Sequence, residues 1–251
     1  MVDLSKFDKK AIGKLFDLAV LPKNTTETDV RKGVKDAIAY DTNILQVSSP
    51  FWLPVVVEEL KGTTVRPSSC IAFPFGSTTT LVKTAETEQA VKLGATVIDM
   101  AMNIGALRSK EFKAVEEELK NFKKAAQGAE TRVIIDVTFL TDEEIATATK
   151  LIVDAQIDFA KTATGQFEGP TMEQFLVVRD TCAGTSTKVK VSGVKFPRPQ
   201  NAYCFLLAGA DIIGTRAAPE IIDALDTMRA VGLVPAYRPA QARGITGEVR
   251  R

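Results

Sequence analysis

The strongest constraint on this 251-residue chain is an alternation. Eight short apolar runs, each followed by a stretch with helical spacing, succeed one another without a linker-like interruption. The runs are Phe16–Leu21, Asn43–Val47, Ser69–Phe73, Thr96–Ala101, Arg132–Thr138, Ile157–Lys161, Lys188–Gly193 and Asp211–Thr215. Most are apolar almost throughout, which is how strands covered on both faces read, and strands that alternate with helices pair in parallel. Two architectures accommodate such an alternation, a closed (β/α)8 barrel and an open doubly wound sheet. The open sheet lacks its usual marks: no G-x-G-x-x-G follows the first run and no Walker glycine loop occurs. The expectation is therefore an α/β chain forming one (β/α)8 TIM barrel domain over residues 1–251, with an irregular tail from about residue 235.

Helices are predicted over 6–15, 27–40, 50–60, 80–93, 108–126, from 141, over 171–182 and 198–208, and from Pro219 to Gly232. Thr26 with Asp29 reads as a capping box, Pro50 as an early helical residue, and Thr141-Asp142-Glu143-Glu144 as a capped, acidic first turn. In the longest segment Val115, Leu119 and Phe122 form an apolar stripe, and its lysines and glutamates are a solvated face.

Composition removes several functions. There is no histidine, which excludes a His-ligated metal, a Ser-His-Asp triad and a histidine general base. Cys70, Cys182 and Cys204 have no metal-ligand spacing and read as reduced thiols in apolar or helical surroundings. A net charge of +1 gives no footprint for nucleic acid or for an anionic membrane surface. The start, Met1 to Lys6, is charged with no apolar signal region behind it, and no run approaches the ~20 residues that cross a bilayer. The expected compartment is the cytoplasm.

In a barrel the carboxyl ends of all eight strands share one mouth. Four ionisable residues in the apolar runs qualify for it: Asp17, Asp99, Lys161 and Lys190. Alternation places Lys188 and Lys190 on one side of their run, opposite Val189 and Val191. Two carboxylates can neutralise two ammonium groups, so a purely structural ion network is one reading, and a Lys161 that snorkels to water is another. The chemical reading is sharper. Desolvation and a neighbouring lysine both depress the pKa of Lys161 toward a free amine. Such an amine adds to a carbonyl, loses water and becomes an iminium, an electron sink for making or breaking the adjacent carbon–carbon bond.

Five segments then resemble one family. Phe73-Pro74-Phe75-Gly76-Ser77-Thr78-Thr79-Thr80, with Lys83 and Ala85-Glu86-Thr87, is similar to the F-P-x-G-x-T-T-T…K…A-E-T segment of deoxyribose-phosphate aldolases. Ile98-Asp99-Met100 with Asn103-Ile104-Gly105-Ala106-Leu107, Asp158 to Gly165, Val189 to Gly193, and Ile213-Gly214-Thr215 resemble further motifs of that family, in its order and spacing. The resemblance covers about residues 10–225. It implies a class I aldolase on a (β/α)8 barrel, with no cofactor and no metal, a sugar phosphate or short carbonyl compound as its small-molecule partner, and a homodimer. Carried over by position, Lys161 is the Schiff-base lysine, Lys190 the lysine that perturbs it, Asp99 the acid/base acting through a bound water, and Asp17 the acid that holds Lys190. Thr162, Thr164, Gly165, Ser192, Gly193, Lys195, Gly214 and Arg216 are the implied substrate-binding positions.

The sequence departs from the family where the substrate phosphate is held. Val194, Lys195 and Phe196 stand for Gly-Ile-Arg, and Arg216 with Ala217-Ala218 for a serine and a glycine. The first-strand motif reads Asp17-Leu18-Ala19-Val20-Leu21-Pro22-Lys23, without the family's histidine and threonine. Losing a glycine restricts close backbone approach, whereas Lys195 and Arg216 can hold an anion by charge. The leading expectation is reversible cleavage of 2-deoxyribose 5-phosphate to acetaldehyde and glyceraldehyde 3-phosphate. The alternatives are a same-family aldolase with another short sugar, and a barrel that binds a sugar phosphate without turning it over.

Overall fold

The computed structural model describes residues 2–238. The strands are β1 Phe16–Val20, β2 Ile44–Val47, β3 Arg66–Ile71, β4 Val97–Ala101, β5 Glu130–Ile134, β6 Phe159–Lys161, β7 Lys188–Ser192 and β8 Ile212–Thr215. They form a closed barrel in sequence order, every pair parallel, with β8 returning to β1. The helices are α1 Glu27–Ala39, α2 Leu53–Glu59, α3 Thr80–Lys92, α4 Ile104–Arg108, α5 Phe112–Ala125, α6 Asp142–Asp154, α7 Met172–Cys182, α8 Arg198–Leu207, α9 Ala218–Asp223 and α10 Leu225–Ala230.

The helices start where the side chains can cap them. Thr26, Thr141 and Thr171 each accept from the backbone of the third helical residue, while Asp29, Glu144 and Gln174 return the bond to the cap backbone. Each such cap is worth roughly 1 kcal/mol. Val115, Leu119 and Phe122 of α5 are buried, as their spacing predicts.

Several boundaries differ from the sequence expectation, and backbone geometry explains them. Residues 6–15 hold two short 3-10 turns rather than one helix. The expected helix over 108–126 is two, α4 and α5, because Lys110 sits at φ 61°, where no helix can continue. The last helix is likewise split into α9 and α10. β5 ends at Ile134 rather than near Thr138, because Asp136 takes φ 43° and turns the chain into a 3-10 turn. β3 begins earlier than expected, at Arg66; Pro67 has no N–H to donate, but its carbonyl accepts from Thr96. Of the expected irregular tail, residues 235–238 are described and carry no regular structure, and the remainder lies outside the described residues.

The register decides what the barrel encloses. Asp17 pairs with Ile44 and Gly214, Asp99 with Cys70 and Arg132, and Lys161 with Ile134 and Lys190. Alternate residues of each strand point inward and stack in layers, so side chains from different strands meet at one height. In this barrel the middle layers are charged.

Candidate active site

Lys161 is the last residue of β6, and its Nζ donates to Asp99 Oδ2 at 2.8 Å. The Nζ of Lys190 donates to the same oxygen at 2.9 Å and lies 2.9 Å from Asp17 Oδ2. The four residues singled out in the sequence are thus in one cluster, and all are buried. Only Lys161 stands at a strand end. Asp17 is second in β1, while Asp99 and Lys190 are mid-strand, so the cluster lies inside the barrel rather than around its rim.

A fifth ionisable side chain completes the cluster, and sequence reasoning passed over it. Arg132, fully buried on β5, ion-pairs with Asp17, donates from Nε to Glu130 Oε1 at 2.8 Å, and comes within 4.0 Å of Asp99 Oδ1. Its guanidinium rests 4.7 Å from the centroid of the Phe159 ring. Its signal was present, an arginine opening the run Arg132-Val133-Ile134-Ile135, but a charge at the start of a strand passes for a surface residue. Asn43 donates to the other oxygen of Asp17 at 2.8 Å.

Three buried cations face two fully buried carboxylates, with the partly exposed Glu130 beside Arg132 as a third. Arginine keeps its proton, so what the two buried carboxylates do not offset falls on the lysines. Burial favours neutral Lys161, but Asp99 outweighs it and holds this amine above the ordinary lysine value. Lys190 is the amine held below it: burial, with Lys161 and Arg132 facing it, prevails over Asp17 and Asp99. This corrects the expectation that Lys161 is the depressed amine, because the nearest charge to its Nζ is a carboxylate and not the second lysine. Burial works against both carboxylates too, yet the surrounding cations hold Asp17 and Asp99 below the usual range. Cys70 faces the same interior with its thiol pushed up to about 12 by burial, so it is no nucleophile.

Above the cluster opens a cavity of about 680 Å³. Lys161 reaches it, together with Thr164, Gly165, Ser192, Gly193, Lys195, Gly214 and Arg216. Asp17, Asp99 and Lys190 lie beneath and do not line it. Nor does Thr162, whose hydroxyl is spent joining β6 to β7, accepting from Ser192 N at 3.1 Å. Thr164 is fixed from below, its N–H donating to Asp136 Oδ1 at 2.7 Å, which accounts for the left-handed Asp136. Gly214 is needed for close approach: a Cβ there would meet Ser192 Oγ and stand 2.7 Å from Lys190 Cε. The cavity also takes in Arg198, stacked 3.8 Å over the Phe196 ring, a residue the sequence marked only as a helix start.

The sequence profile described as DeoC/LacD family aldolase matches residues 12–195. The chain belongs to that family. A deoxyribose-phosphate aldolase of Bacillus cereus strain AH820 is 38% identical over 213 residues, covering 84% of this chain and 94% of its own. Among solved structures, one from Coccidioides immitis described as a deoxyribose-phosphate aldolase superposes with TM-score 0.82 at 26% identity, covering 90% of this chain and 87% of that one. A tetrameric deoxyribose phosphate aldolase of Aeropyrum pernix, 24% identical, shares the fold with TM-score 0.80, covering 88% of this chain and 93% of that one. The protein is accordingly an aldolase, a carbon–carbon lyase on a (β/α)8 barrel. Among the described residues of this aldolase no helix is long and apolar enough to cross a membrane.

Proposed function

We propose that this aldolase reversibly cleaves 2-deoxyribose 5-phosphate into acetaldehyde and glyceraldehyde 3-phosphate through an iminium on Lys161. The observation that carries the reading is that Lys161 is the buried amine open to the cavity, while its Nζ shares one Asp99 oxygen with Lys190. Because Asp99 Oδ2 touches both amines, the proton on Lys161 has a path to the depressed Lys190, and that transfer frees the nucleophile. Addition to the sugar carbonyl and loss of water give the iminium. The other oxygen of Asp99, Oδ1, has no hydrogen-bond partner among the described residues, and Asp99 takes the proton of the third-carbon hydroxyl through a bound water. Cleavage then sends the electron pair of the bond between the second and third carbons into the iminium, leaving an enamine that Lys190 helps to reprotonate. Proton transfers of this kind contribute ~10²–10⁴-fold to rate.

The phosphate reading rests on Lys195, Arg198 and Arg216, three cationic residues lining the outer part of the same cavity. Charge-assisted bonds from such groups compensate for the glycine and serine that Val194 and Arg216 replace. Those same replacements favour a second reading, an unphosphorylated or otherwise different short sugar. A cytoplasmic protein is supported by three free thiols, and a homodimer by Phe51 and Leu81, large apolar side chains left exposed on neighbouring elements.

Borohydride trapping with deoxyribose 5-phosphate and with deoxyribose, followed by peptide mass mapping, separates the readings. An adduct on Lys161 with the phosphorylated sugar alone supports the first. An adduct with both sugars, or with deoxyribose alone, moves the substrate to the second. A Lys161→Ala variant that retains full cleavage activity would refute the assignment.

A further inference from the structure

Of the residues from β1 to β3, three line the cavity: Ala19, the neighbouring Leu21, and Gln46. Two are apolar, so the carboxamide of Gln46 is the hydrogen-bonding side chain on that arc. It is 1% exposed and comes from the middle of β2, directly across the register from Ala19. Its Oε1 lies 3.4 Å from the Nζ of both Lys161 and Lys190. Two ammonium groups dictate that the oxygen, not the NH2, faces them. The NH2 is thereby turned away from the lysines, and it has no partner among the described residues. A buried donor left unpaired destabilises the free protein, a cost that a bound substrate oxygen removes.

We infer that Gln46 is a catalytic residue, donating from Nε2 to the oxygen on the third carbon of the substrate. The inference rests on the iminium reading above. With the first carbon bonded to Lys161 Nζ, the third carbon is two bonds further on, within reach of a carboxamide whose oxygen already touches that nitrogen. There the hydroxyl gives its proton to Asp99, the bond between the second and third carbons breaks, and its electrons enter the iminium. The oxygen passes through alkoxide character and ends as the carbonyl of the released aldehyde. Asp99 receives the proton and is no donor to the oxygen that loses it, whereas Gln46 carries an unpaired donor on a side chain that lines the cavity. A donor aimed at charge that develops only in the transition state raises kcat rather than tightening substrate binding.

The test uses Gln46→Met, which keeps length and removes the donor, with Gln46→Leu as a second apolar replacement if the first does not give folded protein. Two reactions are compared: cleavage of whichever sugar the wild type turns over, and exchange of the methyl hydrogens of acetaldehyde in D2O, followed by NMR. Exchange passes through the same iminium and enamine but involves no third-carbon oxygen. The expected result is a kcat for cleavage lowered about 10²–10³-fold with exchange held within about threefold of wild type. Equal loss of both reactions would overturn the inference, showing that Gln46 merely positions the lysines. Unchanged cleavage would overturn it as well. Wild-type protein that exchanges no methyl hydrogens would instead remove the iminium reading, and this inference with it.

Discussion

Replacing Asp99 by asparagine keeps the shape of the side chain and removes its charge. The ammonium nitrogens of Lys161 and Lys190 stand 2.8 and 2.9 Å from its Oδ2. At an effective dielectric of about 20, a pair of unit charges at roughly 3 Å is worth about 6 kcal/mol, or about four pKa units for each lysine. Burial, which already favours the neutral amines, is unchanged by the substitution. Three buried cations would then face one fully buried carboxylate, Asp17, which Arg132 engages beside the partly exposed Glu130. Lys161 loses the group that holds its pKa above the ordinary value, and the amine becomes free at lower pH. The variant should therefore form the iminium more readily in acid, yet cleave more slowly for want of a base at the third-carbon hydroxyl. The measurement is the fraction of Lys161 trapped by borohydride with acetaldehyde as a function of pH, beside the cleavage rate. The trapping midpoint should fall by at least about two units while cleavage drops about 10²–10⁴-fold. A midpoint that does not move would refute the charge argument, and cleavage at the wild-type rate would remove Asp99 as the base.

Arg216→Ser should raise KM for the phosphorylated sugar roughly tenfold or more, with kcat and the unphosphorylated sugar unaffected, because it removes a charged hydrogen-bond donor worth about 1.5–3 kcal/mol; steady-state kinetics on both sugars decide it. Lys83 and Glu118 form a buried pair at 2.7 Å whose members also bond Ala101 O at the end of β4 and Asn103 N just beyond it. Lys83→Met strands the carboxylate and should cost about 3–5 kcal/mol in urea unfolding, part of it recovered when Glu118→Leu is added. Asp17 and Asp99 are held below their ordinary values, so the unfolded chain binds more protons than the native one as pH falls. The stability these carboxylates contribute is present above the unfolded value of about 3.9 and should drain away below it, with a shallower acid limb in Asp99→Asn when urea midpoints are followed against pH.

The barrel was legible because burial on both faces forces apolar runs, and eight such runs with helices between them close economically in one way. Its interruptions were not. Lys110 and Asp136 adopt left-handed backbones without being glycine or asparagine, for reasons that lie elsewhere in the fold: Asp136 is turned so that its carboxylate can hold Thr164 N. The four ionisable residues stood out because a charge inside an apolar run must find a partner. Gln46 and Arg132 did not, since a neutral amide and an arginine at the start of a run both have ordinary explanations.

That omission carried the error in the lysine titration. Counted as two carboxylates and two lysines, the cluster balances, and only repulsion between lysines is left to depress Lys161. With Arg132 included, three fully buried cations face two fully buried carboxylates, and Glu130 beside Arg132 is only partly buried. Lys190 meets Lys161 and Arg132 inside the barrel and is held below the ordinary lysine value, while Asp99 holds Lys161, the amine open to the cavity, above it. The nucleophile is then not stored as a free amine but released when its proton moves inward to a neighbour already poised to accept it. Inward positions contributed by one residue in two from eight separate strands must therefore be summed for charge as a single closed shell, since no local stretch of this chain contains more than one member of the buried cluster.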